Sequence, residues 1–225
     1  MSWNECLYRY HRARGGQFLA GREDDGLLIL TWKSLPLTVD LHLEAGRYGT
    51  IPYPRARLPV ALNKSYKLTV GAEGKLSAGV NTVLKAVPGL SGLSILPSDF
   101  GFPEVTRKRL IRSDNIPFTK LVLGSLELRN ALLACPKDKL EVLPGPEDNL
   151  HTVLVTSTAS LTSTAQDSLE QGWYLGTSGS YTELYGTEEE KLQLARRVEE
   201  EFFPRLDRFL DLARAAYDAV TQWPV

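Results

Sequence analysis

Cysteine and histidine are scarce in this chain of 225 residues, with two of the first and three of the second. So few cysteines cannot form a disulfide scaffold, and Cys6 and Cys135 read as isolated thiols of a reducing compartment. No stretch approaches the roughly 18 consecutive apolar residues that span a bilayer. Residues 1–16 are polar and arginine-rich, without the apolar run of a secretory signal. A cytoplasmic location without a membrane span is the expectation. Long single-sign charge blocks are also absent. With 43% hydrophobic and 24% charged residues, the composition excludes wholesale disorder and supplies core for one large domain or two small ones.

The charge is unevenly placed. Residues 1–135 carry 18 Lys/Arg against 11 Asp/Glu, whereas residues 136–225 carry 8 against 16. Such asymmetry can mark a basic face for nucleic acid or an anionic surface. The basic residues are scattered, however, which favours two parts that neutralise one another.

Alternation dominates the first 70 residues, which read as β structure. Leu27–Trp32 is a short apolar run behind a turn signal, and Leu37–Glu44 alternates strictly between apolar and polar. Arg47–Asn63 carries Pro52, Pro54 and Pro59, which predicts an edge strand or extended crossing and argues against a central strand. Tyr66–Val70 is a further strand. Val80, Val83, Leu84 and Val87 predict a short helix, and Val105–Arg112 a strand. The Ser113–Asp114–Asn115 cluster, with Pro117 just inside, announces a helix that runs to Pro136 with a break near Gly124–Ser125. Two strands follow, over 139–143 and 150–156. Residues 157–186, rich in Ser, Thr and Gly, read as a loop or linker that admits a short strand at Trp173–Leu175.

The last element is the clearest. Thr187 with Glu190 is a capping box, and Leu192, Val198, Phe202, Leu206 and Phe209 recur at helical steps in a stripe that reaches Val220. The helix spans 187–222, about nine turns, and Pro204 predicts a kink. Straight, it would outreach a domain of this size, which invites a partner; bent at Pro204, it could wrap its own core.

Three constellations could carry chemistry. Asp40, His42 and Glu44 share one strand face, a histidine between two carboxylates, which is the best candidate for a binding or catalytic site. Neighbours on one face of a strand stand about 7 Å apart, so the three cannot ligate one metal ion. Gly176–Ser180 is glycine-rich but lacks the lysine of a phosphate-binding loop. Arg107, Lys108, Arg109 and Arg112 form the densest basic cluster, with Arg107 and Arg109 on one strand face and no aromatic residues interleaved, so nucleic acid is disfavoured. No catalytic residue, cofactor or metal site is assigned.

Pro103–Asp114 resembles a recurring block in uncharacterised prokaryotic proteins, in which Pro-Glu-Phe-Asp-x-x-Phe leads into an apolar strand and a Ser-Asp-Asp-Pro helix cap. The similarity extends over about residues 55–156, with Lys120–Leu133 filling the leucine-rich helix that follows the cap. Val105, Thr106 and Arg109 depart from the pattern, which has Phe, Asp and Phe there. The resemblance implies structure only, since no activity is assigned to that group.

These features predict an α+β fold: an antiparallel sheet or sandwich, a strand–helix–strand–strand module, and a long C-terminal amphipathic helix. The domain expectation is an α+β core over 1–156, with a subdomain boundary admitted near 71–103, then the linker and the helix. The favoured function is a non-enzymatic interaction or binding protein that self-associates or docks a protein partner through Leu192, Val198, Phe202, Leu206 and Phe209. The alternatives are an enzyme or small-molecule binder at Asp40, His42 and Glu44, and nucleic-acid or anionic-surface association through the basic N-terminal part.

Overall fold

The computed structural model of the chain describes residues 2–22, 25–47, 49–73, 100–147, 149–158 and 186–223. The helix expected at Val80–Val87 lies outside them, as do residues 159–185 with the expected Trp173–Leu175 strand and the Gly176–Ser180 segment. The fold is α+β. Among the described residues, eight strands form one sheet in the order β1-β2-β3-β4-β8-β7-β5-β6: β1 Gln17–Leu19, β2 Leu27–Trp32, β3 Leu35–Gly46, β4 Gly49–Ala61, β5 Leu68–Val70, β6 Ile111–Ser113, β7 Asp138–Pro144 and β8 Leu150–Ser157. The chain divides into two compact units, Met1–Ala56 with Thr156–Leu210, and Arg57–Val155 with Asp211–Val225.

The first unit opens on a helix, α1 (Trp3–Arg14), where the sequence pattern predicts β structure. Its signals are local. The Ser2 side chain accepts from the Glu5 amide, and Gly15, at φ 84°, closes the last turn. Trp3, Cys6, Leu7 and Tyr10 form a narrow stripe, the buried face. Arg9 within it, and Arg12 and Arg14 just beyond, hide that stripe from a hydropathy reading. Trp3 packs edge-on to Phe202 and Tyr10 edge-on to Phe203, with ring centroids 5.9 and 5.2 Å apart. The Tyr10 hydroxyl donates to Asp207 at 2.5 Å.

β2 and β3 form a hairpin in which Trp32 faces Leu35, so only Lys33 and Ser34 make the turn. Both have positive φ, 50° and 67°, as a type I′ turn demands, although neither is the Gly or Asn that adopts it with little strain. β4 lies between β3 and β8, a central place that its three prolines argued against.

At the chain's end the capping box forms as expected: Thr187 N–H donates to Glu190 Oε2 at 2.7 Å and the Glu190 amide to Thr187 Oγ1 at 3.3 Å. The helical run is α5 (Glu188–Arg197), a π-helical turn (Val198–Phe202) and α6 (Phe203–Thr221). Pro204 is the second residue of α6. A π turn widens the backbone immediately before the proline ring, which would otherwise press on the carbonyl four residues back.

The second unit numbers its helices α2 (Pro103–Thr106), α3 (Ile116–Leu123) and α4 (Leu126–Ala134). Asn115 caps α3 by accepting from the Phe118 amide, and Ser125 caps α4 by accepting from Leu128, which accounts for the break at Gly124–Ser125. The strand expected over Val105–Arg112 is instead α2 and the three-residue β6, a difference made by Arg109. Its side chain is buried, with Nη1 donating to the carbonyls of Gly71 and Asp138 and Nη2 to those of Leu132 and Cys135, all within 3.0 Å. A guanidinium that joins the end of α4 to β7 and to the end of β5 cannot stand outward on a regular strand. Desolvation lowers its pKa from the ordinary arginine value. Tyr66 is the second buried polar centre: its hydroxyl meets Thr119 Oγ1 at 2.8 Å, which also meets Ser113 Oγ at 2.6 Å, and its amide donates to His151 Nε2 at 3.0 Å. Burial pushes the Tyr66 phenol up, opposed by its hydrogen bonds.

Candidate functional site

Alternation along β3 sends Leu37 and Val39 into the core and sets Asp40 and His42 on the other face, half-buried, with Glu44 exposed. β4 lies beside β3 in the sheet, and Arg55, as far from the start of β4 as Asp40 is from the end of β3, meets that residue. The pair is bidentate: Arg55 Nε donates to Asp40 Oδ1 and Nη2 to Oδ2, each at 2.8 Å. Hydrogen bonding to Asp40 raises the Arg55 pKa, against the opposing effect of partial burial. His42 continues the row, with Nδ1 3.5 Å from Arg55 Nη1 and Nε2 3.6 Å from Glu44 Oε1.

The structure therefore brings Asp40 and His42 together through Arg55, a residue that strand alternation alone does not select. The hairpin register carried the signal, because equal distance from a turn fixes which residues face each other. Chemically the row is a charge ladder. Both Asp40 oxygens hold a guanidinium, whose positive charge occupies the place a cation would take. Among the described residues no group of three His, Cys, Asp or Glu side chains is placed to hold a metal ion.

The five stripe residues of the C-terminal helix meet different surroundings. Phe202, Leu206 and Phe209 are buried, while Leu192 is 54% exposed. The Val198 side chain lies outside the described residues. The basic cluster is divided as well: Arg107, Lys108 and Arg112 are exposed, and Arg109 turns inward, away from the face it was expected to share with Arg107. A cleft of about 320 Å³ in the second unit is lined by Ala61, Leu62, Asn63 and Val220–Trp223, none of which the sequence pattern marks as a site. The buried His151, likewise unmarked, ties β8 to the Tyr66 amide; its signal in the sequence is strand alternation, which puts it on the face of Val153 and Val155.

No helix among the described residues is long and apolar enough to cross a membrane. No family model matches the chain, and no curated protein matches it. Among solved structures, the chain is similar to the mycobacterial trehalose monomycolate transport factor A, TtfA, with 95% of each chain covered, 9% identity and a TM-score of 0.42.

Proposed function

We propose that the protein is a non-enzymatic cytoplasmic interaction protein that takes a second copy of itself or a protein partner on the N-terminal section of its C-terminal helix. One observation carries this reading: the apolar stripe that α6 buries continues into α5, where Leu192 stands 54% exposed. An apolar position on a helix whose first turn is Glu188–Glu190 supplies a small contact with an acidic rim, a layout suited to a polypeptide partner. Cys6 and Cys135, both buried and in the thiol form, support the cytoplasmic part of the reading. The relation to the prokaryotic group with the Pro-Glu-Phe-Asp-x-x-Phe block belongs to the same proposal.

Native mass spectrometry of the full chain over a range of concentrations tests the self-associating form. A dimer that Leu192→Glu converts to a correctly folded monomer is the expected result. A protein that stays monomeric at all concentrations, with a Leu192→Glu variant indistinguishable from it in cross-linking to co-purifying chains, defeats the proposal.

The Asp40–Arg55 pair favours a second reading, a small-molecule binder. It fixes a carboxylate and a guanidinium beside the partly exposed His42, side-chain exposure 40%. A ligand mass retained by the native protein and absent from His42→Ala would move the assignment to this face.

A further inference from the structure

The open edge of β1 is a second surface with its own chemistry. β1 is terminal in the sheet order and, among the described residues, pairs only with β2, with Gln17 opposite Ile29 and Leu19 opposite Leu27. Because successive residues of a strand direct their N–H and C=O groups to opposite sides, β1 offers backbone donors and acceptors on the side away from β2.

This edge is anchored at both ends. At one end Gly15 and Gly16, at φ 84° and 92°, turn the chain out of α1, and a Cβ on Gly16 would lie 2.7 Å from Ile29 O. At the other end α1 clasps the loop that leaves β1. Asn4 Nδ2 donates to Gly21 O, the Gly26 amide donates to Asn4 Oδ1, and Trp3 Nε1 donates to Gly26 O. A preformed edge spares a ligand much of the ordering cost of binding.

Side chains flank it on both faces. Phe18 sits with its ring 6.0 Å from Tyr8, which is 45% exposed and in turn 6.3 Å from His11. Leu19, more than half exposed, lies on the opposite face of the strand. Arg12 follows Tyr8 by one helical turn and is exposed. Its neighbours Arg9 and Arg14 already hold Glu5 and Asp207, whereas Arg12 meets no carboxylate among the described residues.

We infer that the β1 edge binds an extended, acidic peptide segment by strand addition. Backbone hydrogen bonds run to residues 17–19, an aromatic or large aliphatic side chain of the peptide lies on the Tyr8–Phe18 shelf, and a carboxylate meets Arg12. This surface is separate from α5, so it stands or falls independently of the proposed function.

The test uses the full chain and a fluorescein-labelled peptide with glutamates at both ends around a Val-Thr-Phe-Thr-Val centre. The control is the same peptide with alternate amides N-methylated. Polarisation is expected to show saturable binding that N-methylation weakens at least tenfold and that Tyr8→Ala and Arg12→Glu each weaken several-fold. Hydrogen exchange is expected to slow at residues 17–19 in the complex. Equal binding of the N-methylated peptide, protection confined to other segments, or no binding overturns the inference. A peptide-free dimer protected at 17–19 also overturns it, by making a second copy the occupant. The N-methylated control leaves the protein unaltered, so the result does not depend on how a variant folds.

Discussion

Arg55 and Arg109 carry the same side chain and do different work. Arg55, in the first unit, lies across a hairpin face and meets two carboxylate oxygens with its side chain 25% exposed. Arg109, in the second, is 4% exposed and meets four backbone carbonyls. The first is a charge answered by a charge near solvent, where water competes for both partners. The second is a charge answered by dipoles, and its value lies in the carbonyls that would otherwise end unpaired in the interior. Sequence position alone does not separate the two cases. Burial does.

The largest expected effect sharpens this difference directly. Arg109→Met should cost about 3–5 kcal/mol, because it removes the donors to the Gly71 and Asp138 carbonyls and to those at the end of α4. Arg55→Met should cost no more than about 1 kcal/mol. Guanidinium unfolding of the two variants checks both figures, and equal losses would erase the distinction. Next comes the neutral network near Tyr66. Thr119→Val keeps the side-chain shape but strips the hydroxyl between Tyr66 and Ser113, with an expected loss of about 1–3 kcal/mol in the same assay.

Salt gives a smaller contrast. Raising NaCl to about 1 M shortens the screening length to about 3 Å, so the difference between Asp40→Asn and the unaltered protein should shrink. The Arg109→Met deficit should not change, and urea titrations at two salt concentrations read both. The smallest effect concerns Glu190, whose pKa is lowered by its hydrogen bond from the Thr187 amide. A carboxylate with a lowered folded-state pKa stabilises the fold above its ordinary titration range and loses that contribution as pH falls through the folded value. Protection at the start of α5, taken as exchange relative to the intrinsic rate at each pH, should therefore fall on acidification below the usual glutamate range, and less so in Glu190→Gln.

Much of the fold was legible because local rules spoke clearly. Strict alternation marked β3, the Ser113–Asn115 cluster opened α3, the break at Gly124–Ser125 separated it from α4, and the Thr187–Glu190 box opened α5. Two elements were not. α1 hid behind its own arginines, since a four-residue stripe of Trp, Cys, Leu and Tyr barely lifts hydropathy above its polar exterior. The Val105–Arg112 segment misled in the opposite sense, because periodicity assumes that a charge points outward and Arg109 points in. The candidate site was half legible. Asp40, His42 and Glu44 follow from one strand, whereas Arg55 is supplied by the next strand and appears only when register is known. The stripe of the last helix was read correctly as apolar, but only burial separates Leu192 from Phe202, Leu206 and Phe209.

The Lys33–Ser34 reversal has a consequence for engineering. Two side-chain-bearing residues hold mirror-image backbone angles there, a strain of about 1 kcal/mol each that the rest of the hairpin must overcome in every folded molecule. The turn is therefore unused thermal headroom: Ser34→Gly should raise the melting temperature without touching a single core contact.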